Sequence, residues 1–277
     1  GSLAEPMSCI IGGAHASYHT KSGSYVHKMG IREGGKLALL AGAGPMGLGM
    51  GDYIVHCDRK PSLVIVTDID SARLSRAASI LPPSEAERHG VKLMYVNTTN
   101  FEDPIAFMKR FAPDGFDDVF VYAPVKPVIE MGDRLLGRDG CLNFFAGPTK
   151  TDFRAELNFY NVHYASTHIV GTSGGNTDDM REALRMMEDG RLNPAAMITH
   201  ICGLDAVADV TLNLDKIPGG KKLCYTNISL PLTAISDLEK LGKTDPLMRA
   251  LAEICGRHGG LWSAEAEKFL LENAKPI

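Results

Sequence analysis

The chain has 277 residues, 44% of them apolar and 22% charged, an ordinary globular composition for one large or two small domains. A net charge of −4 without a basic stripe excludes a nucleic-acid-binding surface. No apolar run approaches the ~18 residues of a membrane span, and no signal-peptide pattern is present. The six cysteines form no C-x-x-C pair, so they read as unpaired thiols of a reducing, cytoplasmic compartment.

Residues 5–31 come first, and the apolar run 7–11 begins a helix. Gly12 and Gly13 leave room for another backbone to approach. His15 and His19 are four apart and would share one helical face, a surface or core pair rather than a metal site. His27 has no local partner.

The organising stretch follows. An apolar run, 37–41, ends in Gly42-Ala43-Gly44-Pro45-Met46-Gly47, a G-x-G-x-x-G. Residues 46–56 suit a helix, and a second apolar run, 63–67, ends at Asp68. Strand, glycine turn, helix, strand and acid form the dinucleotide-binding pattern. Gly42 permits the tight turn, Gly44 admits a pyrophosphate and Gly47 lets the helix sit close to the strand. Pro45 falls in the first helical turn, where its missing N–H costs nothing. The remaining amides and the helix dipole, with Met46 contributing its backbone, face an anion. Asp68 would accept from the ribose hydroxyls of NAD and repel the 2′-phosphate of NADP. Asp70 adds negative charge, whereas Arg73 and Arg59 weaken the preference and keep NADP possible. Gly42 to Asp68 spans 26 residues, against the usual ~20, and 56–62 reads as a longer connection.

Beyond the turn, strand-like runs at 92–97, 118–123, 141–146 and 167–171 alternate with helical stretches at 71–80, 103–111 and 125–136. That alternation predicts an α/β, doubly wound Rossmann fold: a parallel six-stranded sheet in the order 3-2-1-4-5-6. The strand ends then put Ala123, Ala146 and Thr172 on one rim with the glycine turn, at the nicotinamide side. Arg73 could flank the adenine. Further on, 178–188 is an amphipathic helix, 198–202 and 222–226 are strand-like, and 204–214 is helical. Residues 234–240, 246–258 and 263–273 are helical patches with no strand between them, Ser263 reading as an N-cap and Trp262 as a packing anchor.

These residues together resemble the medium-chain dehydrogenase/reductase family of zinc-type alcohol and polyol dehydrogenases. The likeness rests on Glu5-Pro6-Met7-Ser8-Cys9, the 42–47 turn, Val66-Thr67-Asp68, Ile198-Thr199-His200, Leu204–Val207 by number 204–207, and 220–227. The branch is that of sugar, polyol and sugar-phosphate oxidoreductases. The resemblance implies a four-part reading: 1–31 a leading helix with an insertion at 16–29, 32–173 the Rossmann domain, 174–227 a segment that returns to a catalytic domain, and 228–277 a helical C-terminal extension. It also implies that the zinc-bearing catalytic domain is not in this chain, since no His is followed by Glu. Glu5 matches a glutamate beside the family's catalytic zinc; without co-ligands it would hold no metal here. The whole enzyme would move hydride between nicotinamide and a carbonyl or alcohol of a small sugar or sugar phosphate, and would dimerise through the edge strand at 167–171. Two other readings compete: an NAD-binding module without turnover, and an S-adenosylmethionine-dependent methyltransferase. A six-stranded sheet lacking an antiparallel hairpin at its end would exclude the methyltransferase.

Overall fold

A computed structural model describes residues 1–21 and 23–277; Ser22, inside the 16–29 insertion, lies outside the described residues. The chain forms two compact units, Gly1–Asn193 and Pro194–Ile277.

The first unit opens with helix α1 (Ala4–Ala16) and a short antiparallel hairpin, β1 (Tyr18–Thr20) and β2 (His27–Met29). Then β3 (Lys36–Leu40), α2 (Pro45–His56), β4 (Leu63–Asp68), α3 (Ser71–Ile80), α4 (Pro83–Arg88), β5 (Lys92–Asn97), α5 (Pro104–Lys109), β6 (Phe116–Val121), α6 (Lys126–Leu135), β7 (Leu136–Phe144), α7 (Phe159–Tyr164), β8 (His168–Val170) and α8 (Thr177–Glu188) follow. The six strands from β3 to β8 pair in parallel, in the order β5-β4-β3-β6-β7-β8. In order of appearance this is the 3-2-1-4-5-6 arrangement read from the sequence. No antiparallel strand joins this sheet among the described residues.

The reason for the continuous apolar runs is burial on both faces. Leu37, Ala38, Leu39 and Leu40 are all fully buried. Ala38, Leu40, Ile65, Val119 and Val121 share one core with Met108, Ile129 and Leu135 from α5 and α6. Each fully buried Leu or Ile contributes about 2 kcal/mol against exposure. Strand β3 lies between β4 and β6, so the chain's direction of travel across the sheet reverses beside it. A crevice opens there at the carboxyl ends of the strands.

Helix α1 packs on α2 and α8. Gly12 allows this: a Cβ there would lie 3.1 Å from Gly175 Cα, and one on Gly175 would lie 2.2 Å from the Ser8 carbonyl oxygen. The helix ends at Ala16 because Ser17 turns extended. His15 and His19 therefore do not share a helical face, contrary to the spacing argument. His15 meets Asp179 at 2.8 Å, whereas His19 sits in β1 and reaches Asp118 at 3.2 Å. The partner of His27 comes from the other strand of the hairpin: its ring stacks on Tyr18 with centroids 4.4 Å apart, and Tyr18 stacks on His168 at the same separation.

The second unit holds β9 (Ile198–Gly203), α9 (Val207–Leu212), β10 (Lys221–Tyr225), β11 (Thr233–Ala234), α10 (Leu238–Leu241), α11 (Pro246–Arg257) and α12 (Ala264–Asn273). Strand β9 is central, with β10 parallel on one side and β11 antiparallel on the other. The 204–214 stretch is not one helix but a six-residue α9 flanked by two 3-10 turns. Ser263 caps α12 by accepting from Ala266 N, as read. Buried Trp262 donates its indole N–H to Tyr225 Oη at 2.7 Å, and that hydroxyl donates to Glu267.

Candidate functional site

The site is built from the loop that joins β3 to α2. Ala41, with φ +52°, takes the left-handed conformation that turns the chain. Gly42 serves by close approach instead: a Cβ on it would lie 2.8 Å from the Leu39 carbonyl oxygen. Gly47 has the same role against Gly42, whose carbonyl oxygen would be 2.2 Å from its Cβ; its contact is with the turn rather than with the strand. Gly44 differs from both. Nothing lies within 4 Å of its Cβ position. It is the N-cap of α2, no side chain caps that end, and Pro45 occupies the first helical position. The amides of Met46 and Gly47 have no intrahelical acceptor, because their i−4 residues precede the helix. They carry the positive end of the helix dipole.

This uncapped end opens into a cleft of about 660 Å³. Gly44, Pro45, Met46, Gly47, Asp68, Arg73, Ala123 and Ala146 all line it. Gly42 lies behind the turn and does not line it, and Thr172 is not on it either. The strand-end rule misplaces Thr172 because β8 stops at Val170 and the chain then runs toward Gly175 and α1. Thr172 Oγ1 instead lies 3.8 Å from the Cβ position of Gly13.

Asp68 ends β4 and is buried. Its Oδ1 accepts from Ile69 N at 2.8 Å and Asp70 N at 3.1 Å. Its Oδ2 takes no hydrogen bond from the described residues, so one acceptor oxygen is left beside the cleft. Asp70 is occupied as the N-cap of α3, accepting from Ala72 N and Arg73 N. Arg73 pairs with Asp70 at 3.6 Å and stays largely exposed. Arg59 is elsewhere: its guanidinium donates to the Met29 carbonyl, away from the cleft. It does not offset Asp68.

The opposite wall contains residues that the sequence pattern did not mark. Tyr122, Val125, Val128, Met131 and Phe145 line it. Tyr122 is the informative one. Its ring lies 5.0 Å from that of Phe145, its hydroxyl is buried, and that hydroxyl has no hydrogen-bond partner. Burial pushes the phenol well above its ordinary pKa, so it stays protonated and able to donate. A buried polar group without a partner costs about 1–3 kcal/mol, which a bound ligand would recover. Its only sequence signal is position one residue past β6, across the reversal point from Ala41.

Glu5 lies in the first turn of α1, exposed, and accepts from Cys9 Sγ at 3.3 Å. Two donors fall short of the three protein ligands of a catalytic zinc. Glu5 is also outside the only His/Cys/Asp/Glu group with metal-ligand spacing among the described residues. Among the described residues, those around Glu5 therefore do not fit the family's catalytic metal centre.

No protein-family model matches the chain. Curated relatives do. It is 56% identical over 272 residues to a mannitol-1-phosphate 5-dehydrogenase of Aliivibrio fischeri, covering 98% of this chain and 64% of that protein. It is 46% identical over 277 residues to an L-sorbose 1-phosphate reductase of Klebsiella pneumoniae, covering 100% of this chain and 64% of that one. The chain thus spans about 64% of the length of these relatives. Among solved structures, 2R,3R-butanediol dehydrogenase from Bacillus subtilis superposes with a TM-score of 0.62 at 19% identity, over 82% of this chain and 57% of that one. A zinc-binding dehydrogenase from Sinorhizobium meliloti, solved with NADP, gives 0.60 at 18% identity, over 81% and 58%. The resemblance read from the motifs is shown: the chain is a homologue of bacterial proteins named as sugar-phosphate dehydrogenase and reductase, with the fold of zinc-type alcohol dehydrogenases.

Proposed function

We propose that this chain is the nicotinamide-dinucleotide-binding part of an oxidoreductase acting on a sugar or polyol phosphate. The observation that carries the reading is the uncapped, side-chain-free start of α2 opening into a cleft that also holds the spare oxygen of Asp68. The amides of Met46 and Gly47 would hold the diphosphate. Gly44 leaves it room, and Asp68 Oδ2 would accept from a ribose hydroxyl. Arg73 stands beside the adenine end, and Ala123 and Ala146 border the nicotinamide end. Small side chains there let the ring lie against the strand ends, and the Tyr122 hydroxyl is the polar group available to orient it. The cofactor supplies hydride transfer when bound; this chain binds it, orients it and keeps water from one face.

Asp68 favours NAD over NADP, because a 2′-phosphate would bring negative charge against a buried carboxylate. The substrate class comes from the names of the 46–56% identical relatives. The methyltransferase reading is set aside, since the six-stranded sheet is parallel throughout. A homodimer through the edge strand β8 is part of the same proposal. That edge and α7 beside it present Phe159, Tyr160, Tyr164 and Ile169 to solvent, and an apolar exposed edge is a surface proteins normally cover.

Calorimetric titration with NAD and NADP tests the cofactor half, with NAD expected to bind the tighter. No binding of either would overturn it. NAD-linked turnover of mannitol 1-phosphate and L-sorbose 1-phosphate by the complete protein of the source cell tests the substrate half. Cofactor binding without turnover of any sugar phosphate would leave the non-catalytic module as the better description.

A further inference from the structure

Far from the cleft, at the other end of α2, three side chains converge: His56, Glu85 and His89. His56 is the last residue of α2, Glu85 lies in α4 and His89 caps its C-terminus. Their ligand atoms all lie within 4.8 Å of one another. His89 Nε2 is 3.2 Å from Glu85 Oε1, and His56 Nε2 is 4.0 Å from that same oxygen. The two imidazole rings meet edge to face with centroids 4.5 Å apart. Three ligand atoms around a tetrahedral zinc ion, at bonds of about 2.0–2.1 Å, are about 3.3 Å apart. Two of the spacings, 3.2 and 4.0 Å, lie within about 1 Å of that value, and the third is at most 4.8 Å.

The surroundings point the same way. His56 Nδ1 lies 2.9 Å from Asp52 Oδ1 and 2.9 Å from the Asp52 carbonyl oxygen, so it donates there. That bond fixes the tautomer and leaves Nε2 directed at Glu85. A carboxylate behind a metal-binding imidazole is the usual second support of such sites. Arg88 pairs with Glu85 through Oε2, which leaves Oε1 for the cluster. Glu85 and His89 are four apart and so meet on one face.

We propose that His56, Glu85 and His89 bind a divalent transition-metal ion of the zinc class, with water completing the coordination. Two imidazoles and a carboxylate suit zinc over calcium or magnesium, which prefer all-oxygen shells. The site is structural: α2 rises about 16 Å between its diphosphate end and His56, too far for the ion to touch the cofactor. The ion ties the end of α2 to α4, two elements otherwise joined by the half-buried Glu85 and its two histidines. On binding, the metal takes the Nε2 lone pair of each imidazole, and a proton carried there beforehand passes to the other ring nitrogen or to solvent.

The test uses zinc chloride against the purified chain, with His89→Ala, Glu85→Gln and Asp52→Asn variants and Glu5→Gln as a control. The wild type should retain about one zinc per chain after dialysis and melt at a higher temperature with zinc than with chelator. His89→Ala and Glu85→Gln should lose the ion and the zinc-dependent melting shift, while circular dichroism shows them folded. Asp52→Asn should weaken zinc by about tenfold or more. Cobalt(II) substituted into the site should show tetrahedral d–d bands without a thiolate charge-transfer band. Failure of the wild type to retain zinc would overturn the proposal, as would equal retention by His89→Ala and Glu85→Gln. A thiolate band would place the metal on cysteine and overturn it too.

Discussion

The two ends of strand β6 lie in opposite chemical situations. At its start, Asp118 is buried and its charge is spent inside the protein: it meets His19 Nε2 at 3.2 Å and accepts from Arg32 N at 2.8 Å. Around it, Asp139 accepts from Thr20, Arg32 and His168, with Arg32 reaching both Asp139 and Asp117. Just past its other end, Tyr122 has a buried hydroxyl with no partner, Asp68 keeps one oxygen free, and the start of α2 is uncapped. The neighbouring cavities are of similar size, about 700 Å³ beside His19 and Arg32 and about 660 Å³ beside Tyr122. Volume does not tell them apart. Charge pairing does: the first end is held by ion pairs among its own residues, and the second keeps an unpaired Tyr122 hydroxyl beside an uncapped helix start.

The largest effect should come from breaking the first end. His19 meets the Asp118 carboxylate at Nε2, and at Nδ1 it meets both the Asp139 carbonyl and the Arg32 guanidinium. His19→Ala would leave buried Asp118 without its imidazole partner and should destabilise the protein by about 3–5 kcal/mol in denaturant melts, with NAD affinity of the folded fraction unchanged. The pH dependence sharpens this. Burial works to lower the His19 pKa, but the hydrogen bond and charge of Asp118 and the Asp139 carbonyl outweigh it, and the pKa is raised. A raised folded pKa means the contribution is complete below the unfolded value of about 6.5 and is lost as pH rises through the folded pKa. The stability gap between wild type and His19→Gln should therefore narrow on going from acid to alkaline pH. A gap that widens would contradict the raised pKa of His19.

The glycines of the turn separate the two kinds of site within one motif. Gly44→Val should leave the melting temperature unchanged, since its Cβ meets nothing within 4 Å, and should weaken the dinucleotide by about 100-fold, some 2–3 kcal/mol of lost diphosphate contact. Gly47→Ala should instead destabilise, because its Cβ would fall 2.2 Å from the Gly42 carbonyl oxygen. If both variants were merely unstable, the turn would be structural. Asp68→Ser should weaken NAD by about tenfold, or 1.4 kcal/mol, and narrow the gap to NADP; an unchanged preference by calorimetry would remove Asp68 from the site. The smallest effect should be that of Arg59→Ala, which should leave the NAD-to-NADP ratio as it is, because that guanidinium is bonded to Met29.

Much of the second end was legible in the chain. The runs at 37–41 and 63–67 are apolar because parallel strands are buried on both faces, and the glycine spacing follows from close backbone approach. The first end was not legible. Strands β1 and β2 are three residues each, mostly polar, and their partners Asp118 and Asp139 lie some hundred positions away. Local periodicity carries no trace of such a bond, so His19 looked like a helical neighbour of His15. Tyr122 was hidden for a related reason. Nothing local distinguishes a tyrosine whose hydroxyl is satisfied from one whose hydroxyl is stranded. His56, Glu85 and His89 escaped in the same way, because 29 residues separate the first two.

A crystal of the protein soaked with NAD tests the central assignment most directly. The diphosphate oxygens should lie about 3 Å from the amides of Met46 and Gly47, with a ribose hydroxyl on Asp68 Oδ2. A dinucleotide bound in another cavity, with those amides facing only solvent, would contradict it.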